Sequence, residues 1–455
     1  MTVGVLLAVA ALAVYFISRT DHYYNHFVWQ ASAFLEGQAA IRYPVEGSSG
    51  SVGNAFFQDV LPVAPGDGIG RGLLPFPPLP ALILVPFVAL WGVATDDQTI
   101  FTVLAAVDVA ICWWMLGRLP LRLRVRLTTT IFFAFGTVFW YTAQLATTWY
   151  QAHIVAIGLT MLAIGLSVGN DPAIASRPGR PTIDRRQFAA GTIDWRQFAA
   201  GLLFGLACTA RLTVIFGAPF FLFVGSGGTL WRRGWSAGLG TAIPVAALLL
   251  YNVATTGHPI HPAYDYLYQR ESRGYVALGY EPEWAIEDPR YLPHNAALMF
   301  LTPPDLMPER LPDSLGVRNE PVCTEPGAVR RLFDLDCPLA VPSDIGMSIL
   351  LTSPAFVLLV SALRRFGRSR LVTGATLAVI PIVVFNLMHF SQGWVQFGYR
   401  FSNDAVPFAL VLVALGFERL VRRGPTWATP LAVGLVVVSV AINAWGVTWG
   451  NLLGW

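Results

Sequence analysis

Apolar runs long enough to cross about 30 Å of hydrocarbon follow one another along most of the chain, separated mainly by short polar stretches. They fall at 2–18, 80–95, 99–117, 127–145, 148–168, 198–226, 235–255, 345–363, 371–389, 405–420 and 426–448. A soluble α/β chain of this size would alternate short apolar strands with amphipathic helices, and that rhythm is missing. The pattern predicts an all-α polytopic protein, with residues 1–455 forming one integral membrane domain. Two long polar stretches interrupt it, 19–79 and 256–344. Loops of that length usually carry function. The first apolar run has neither a basic leader nor a clear cleavage site, so it is expected to remain as a span.

Composition agrees. The chain is 55% hydrophobic and 13% charged, where soluble proteins carry about 25% charged residues. The net charge of +3 gives no reason to expect a nucleic-acid partner; the expected surroundings are a lipid bilayer.

Every basic residue other than histidine is arginine, and the arginines set the topology. Short arginine-rich loops are retained on the cytoplasmic side. Five stand out: Arg118 to Arg126, Arg177 to Arg196, Arg232/Arg233, Arg364 to Arg370, and Arg419 to Arg423. Placing all five inside predicts that 198–226 is a hairpin of two short helices, with Arg211 near its outer turn. It also predicts that 80–95, rich in proline, is a re-entrant or interfacial segment. About 11 spans result, multi-pass in the plasma (inner) membrane, with the N-terminus cytoplasmic and the C-terminus external. The stretches 19–79 and 256–344 are then external loops. A near-perfect tandem repeat, TIDRRQFAAG at 182–191 and TIDWRQFAAG at 192–201, reads as a tolerated duplication in a cytoplasmic loop.

On this topology all seven histidines lie outside, and the 256–344 loop holds 14 acidic residues against 7 arginines. The candidate chemistry is therefore external. From His22 to Gly37 the first loop predicts an amphipathic helix lying on the membrane surface. Asp21, at the end of the first span, and Asp59, farther along the loop, are the candidate carboxylates; Asp21 also suits a helix cap. His22 and His26 have the spacing of a metal pair, yet no third ligand follows at diagnostic spacing, and no metal or other cofactor is expected. Gln144, Trp149, Tyr150 and His153 cluster at one outer turn, as pocket lining or as an aromatic belt. Asp108 and Arg211 lie within apolar runs, where they can pair with each other or face a wet cavity. Arg400 and Asp404 stand at the mouth of a span among aromatics, as a phosphate fork or as an i,i+4 pair. Cys323 and Cys337 suit a disulfide in an oxidising compartment, with two free thiols as the alternative.

Several stretches together resemble the GT-C superfamily of multi-span glycosyltransferases: an acidic residue after the first span, Ala31, Leu35 and Gly37 in a first-loop helix, PFPPLPALILVPF, YNVATTGHPIHPAY, and GWVQFGYRFSNDAVPF. The resemblance covers most of the chain through scattered motifs. It departs from the better-known members in lacking an acidic pair in the first loop and in having no lysine. It implies a GT-C-like fold and a polyprenyl-phosphate-linked sugar as donor. It also implies a glycan, lipid or protein hydroxyl as acceptor, and transfer with inversion. Asp21, then Asp59, would be the catalytic carboxylate. Arg400 would neutralise the departing phosphate, and Tyr399, Tyr264, His258, His261, His153 and Trp149 would shape the site. The alternative is a transporter or flippase of a lipid-linked or small anionic substrate.

Overall fold

The computed structural model describes residues 2–21, 24–44, 60–64, 69–171, 193–266, 268, 281, 283–311, 321–391, 393 and 395–455. The fold is mostly helical. Among the described residues, five helices are long and apolar enough to cross a membrane: Asp97–Leu116, Thr148–Asn170, Leu230–Thr256, Arg370–Leu387 and Ala428–Leu453. Of these five, Thr148–Asn170 is the most enclosed, with 78% of its most apolar stretch buried inside the protein. Polar caps start several of these helices: Asp96 accepts from Thr99 N at 2.9 Å, and Thr229 accepts from Arg232 N at 3.2 Å.

Several apolar runs are broken rather than continuous. The run 127–145 forms Leu123–Phe135 and Phe139–Leu145, separated at Gly136–Val138 and ended by Ala146 in the left-handed region (φ 44°). The run 345–363 forms Ile349–Thr352, a 3-10 turn and Leu359–Leu363. Apolar content alone does not reveal such breaks.

The 198–226 segment does fold back on itself. Trp195–Cys208 rises to Arg211, and the chain returns through Leu212–Gly217 and Pro219–Phe223. Its two ends meet, because Gln197 Nε2 donates to the carbonyls of Phe221 and Val224, each at 3.0 Å. Trp195–Cys208 also lies very close to Leu230–Thr256. A Cβ added at Gly201 would stand 2.0 Å from the Ala237 carbonyl oxygen, and one at Gly240 would stand 2.2 Å from that of Phe198. Such small-residue contacts let membrane helices approach backbone to backbone.

The arginine-rich loops gather at one end of the bundle. Arg370 bonds Asp171 (3.0 Å) and the Phe223 carbonyl (2.7 Å). Arg233 bonds the Leu222 and Gly228 carbonyls, and the Arg122 N–H donates to Glu418 at 2.9 Å. Most of the Arg177 to Arg196 stretch, with the first copy of the repeat, lies outside the described residues.

At the opposite end, the first loop differs from expectation. Its helix spans His26–Leu35, and His26, Phe27, Val28, Gln30, Ala31 and Ala33 are all buried. It is packed into the protein beside the proline-opened helix Leu79–Trp91 rather than laid on a surface. That second helix begins and ends at this same end of the bundle. Phe76, just before it, packs on His26 and Phe27, and Asp96, just after it, is held by Arg19. A three-stranded antiparallel sheet of Ile41–Pro44, Ile69–Leu73 and Leu61–Ala64 sits beside these helices. In the 256–344 loop, Cys323 and Cys337 form a disulfide. Asn295 ties the same loop to the end of Arg370–Leu387 through the Leu387 and His389 carbonyls.

Candidate functional site

Two clusters of polar side chains flank the first turn of Thr148–Asn170, at the end opposite the arginines. Successive helix residues point about 100° apart, so Tyr150 and His153 serve one cluster while Thr148, Trp149 and Gln151 serve the other.

The first cluster is built on Asp404, which is 2% exposed. Arg211 reaches it with both arms of its guanidinium, Nε to Oδ1 at 3.1 Å and Nη2 to Oδ2 at 2.8 Å. His153 Nδ1 lies 3.0 Å from Oδ1. Thr213 and Asn386 also donate to Oδ2. The break in the 195–226 hairpin is what delivers Arg211 here. Asp404 is thus committed to Arg211 and His153 and does not form the i,i+4 pair with Arg400. Nor does Arg211 pair with Asp108, which lies against Gly158 in the interior, its Oδ2 without a hydrogen-bond partner among the described residues.

Arg400 is left available. Its guanidinium sits over Tyr150 (5.5 Å to the ring centroid) and Phe401 (5.4 Å), and Arg211 stacks on the same Phe401 ring at 5.3 Å. Among the described residues no carboxylate pairs with Arg400, and its Nε is buried without a hydrogen-bond partner. The backbone beside it is shaped for this placement. Gly393 (φ 72°) has no room for a Cβ, which would stand 2.6 Å from the Arg400 guanidinium. Val395 sits at φ 58°, a costly conformation for a β-branched residue and one that tends to occur at functional sites. His153 Nε2 and both amide atoms of Gln144 are further buried polar atoms without hydrogen-bond partners among the described residues. Native proteins usually satisfy such groups with protein, water or a ligand.

The second cluster collects carboxylates. Asp21 bonds Arg19 at 3.3 Å, and its side chain is 91% exposed. Arg19 also reaches Asp96 (3.4 Å). Burial pushes the Asp96 carboxyl up, but hydrogen bonds from the Thr99 hydroxyl and N–H and the charge of Arg19 outweigh it and hold the group below its ordinary value. Asp97 is different. It is 8% exposed and accepts a hydrogen bond from Gln151 Nε2 at 2.6 Å, with no cationic partner among the described residues.

The other expected residues divide between these places. Tyr399 is buried and packs edge-on against Phe401, with ring centroids 6.0 Å apart. Tyr264 lies within electrostatic range of Arg211. His261 is buried, and its Nδ1 accepts from Ala263 N. Trp149 faces the second cluster, packing on Tyr24 and His26. His258 is exposed at the end of Leu230–Thr256, with its N–H on Thr256. Asp59 and His22 lie outside the described residues.

Asp96, Asp97, Gln151, Thr213 and Asn386 were not singled out from sequence. The available signal was TDDQT at 95–99, an acidic pair opening a long apolar run. No family model, no curated protein and no solved structure matches this chain.

Proposed function

We propose that this chain is a membrane glycosyltransferase of the GT-C type. It moves a sugar from a polyprenyl-phosphate donor to an acceptor hydroxyl at the external face of the plasma (inner) membrane, inverting the anomeric centre. The observation that carries the reading is Arg400, held on two aromatic rings and, among the described residues, without a carboxylate partner and with a buried Nε that has no hydrogen-bond partner. A guanidinium fork in a poorly solvated setting is suited to a phosphate that gains charge as it leaves. The acceptor oxygen attacks the anomeric carbon, the bond from that carbon to the phosphate oxygen breaks, and the hydroxyl proton passes to a carboxylate. Asp97 suits that last role best, because it is buried and, among the described residues, has no cationic partner. Asp21, exposed and paired with Arg19, and Asp59 are the other candidates. His153, Tyr150, Tyr399 and Tyr264 line the phosphate side.

A second reading has its own observation. Arg211 sits where a helix breaks and joins a buried ion cluster, a feature of transporters. On that reading the chain is a flippase or transporter of a lipid-linked anion.

Purified protein in sealed vesicles, given a donor labelled in the sugar together with an envelope acceptor fraction, separates the two. The glycosyltransferase releases polyprenyl phosphate and forms a product of opposite anomeric configuration. Movement of intact donor across the bilayer without cleavage would support the transporter instead.

A further inference from the structure

A large concavity lies away from the site just described. A cavity of about 980 Å³ opens at the arginine end, between the turn that precedes Arg370–Leu387 and the last turns of Val406–Arg423. Seven arginines line it: Arg364, Arg365, Arg368, Arg370, Arg419, Arg422 and Arg423. Two carboxylates share the wall, and both are already committed. Asp171 is held by Arg370 and by Gly225 N, and Glu418 is held by Arg122 and Arg422. The described residues of the wall therefore carry a surplus of five positive charges.

Retention of arginine on the cytoplasmic side accounts for arginines in each loop separately. A helix C-terminus accounts for Arg422 and Arg423. Neither requires the 364–370 turn and the 419–423 turn to face each other across one basin. Like charges held in this way repel unless an anion sits among them. The first turn of Arg370–Leu387 also opens onto the basin, contributing Ser369, Arg370 and Leu371 to its lining, and helix N-termini favour negative charge.

We propose that this basin is a binding site for a multiply charged, phosphate-bearing group. Arginine forks match phosphate oxygens in pairs, and the volume lies within the range of small-ligand pockets. The chemistry is shared by two sources, the headgroup of an acidic phospholipid and a free oligophosphate. Position favours the lipid, since basic pockets between helix ends at the cytoplasmic surface suit acidic headgroups. The site is separate from the proposed sugar transfer and does not depend on it.

The test uses the full chain in nanodiscs of phosphatidylcholine alone or with about one-third phosphatidylglycerol. Lipid retained after detergent extraction is counted by native mass spectrometry, and inorganic pyrophosphate is offered separately. Phosphatidylglycerol should be retained over phosphatidylcholine by about tenfold or more. Arg365→Gln/Arg368→Gln/Arg419→Gln should abolish that preference. Pyrophosphate binding with the same arginine dependence, and no lipid preference, would keep the site and assign it to a soluble source. Should the triple variant fail to insert, salt dependence of the wild type decides. Raising ionic strength to about 1 M shortens the screening length to about 3 Å and should release most of the bound anion. Equal retention of both lipids without pyrophosphate binding overturns the proposal. So does wild-type binding by the triple variant, or binding that ignores salt.

Discussion

The two ends of this bundle handle charge in opposite ways. At one end, Asp404 is buried and shared among Arg211, His153, Thr213 and Asn386, so that a single carboxylate orders three segments of the chain. At the other, seven arginines line a cavity with two carboxylates on its wall among the described residues. The first arrangement is a fixed internal network, costly to break. The second is an accumulation of like charge that tolerates individual losses. The contrast also explains why Arg400 matters. Among the described residues it is an arginine at the first end with no carboxylate partner, beside an arginine, Arg211, that is paired with Asp404.

The largest expected effect comes from breaking the network. Arg211→Leu leaves Asp404 buried without its guanidinium and should cost about 3–5 kcal/mol, read as a lower thermal midpoint in detergent. Arg211→Leu with Asp404→Leu should recover much of that loss, because no orphan charge remains. A double variant no more stable than the single one would show that the pair is not the stabilising unit.

Next comes displacement of Arg400 without touching it. Gly393→Ala places a Cβ where the guanidinium lies and also strains a left-handed backbone. A misplacement near 1 Å costs about a hundredfold in rate, so kcat/KM for sugar transfer should fall by about that factor. The thermal midpoint should move far less than in Arg211→Leu.

A smaller effect follows from His261. Burial pushes its imidazole down from the ordinary 6.5 to about 4. The folded protein therefore holds it neutral, a contribution to stability present in full above pH 6.5 and lost as pH falls toward 4. His261→Asn should flatten the decline of the thermal midpoint across that window. An unchanged slope would assign the acid sensitivity to other groups.

The smallest effect belongs to the arginine end. Arg365→Gln alone should change stability by no more than about 0.5 kcal/mol. A loss comparable to that of Arg211→Leu would erase the difference between the two ends.

How much of this was legible beforehand depends on the kind of signal. Apolar length lies in local composition and predicts a helical protein with several membrane-spanning helices; of the 11 expected spans, five helices among the described residues are long and apolar enough to cross a membrane. The arginine loops converge on one end, the 198–226 run turns back at Arg211, and the 80–95 run starts and finishes at one end. The helix breaks at Gly136–Val138 and at Ser353 are less visible, because apolar residues continue through them. The pairing of Arg211 with Asp404 joins positions far apart in the chain, and hydropathy carries no information about such partners. The amphipathic pattern of the first-loop helix, with Phe27 and Phe34 among its aromatics, suits a membrane surface. In the fold Phe27 packs on Phe76 and Phe34 on Tyr251, a tertiary choice that amphipathicity alone does not decide. The acidic pair at 96–97 opens a helix, where sequence reads it as capping. Asp96 does cap, while Asp97 turns inward to Gln151.

The central claim is that sugar transfer occurs at the paired-charge end, with Arg400 receiving the phosphate and a nearby carboxylate taking the proton. The most direct test measures transfer from a polyprenyl-phosphate sugar by wild type, Arg400→Gln, Asp97→Asn and Asp21→Asn. The account predicts losses of about a hundredfold or more for Arg400→Gln and Asp97→Asn, with Asp21→Asn close to wild type. Full transfer by both Arg400→Gln and Asp97→Asn would contradict it.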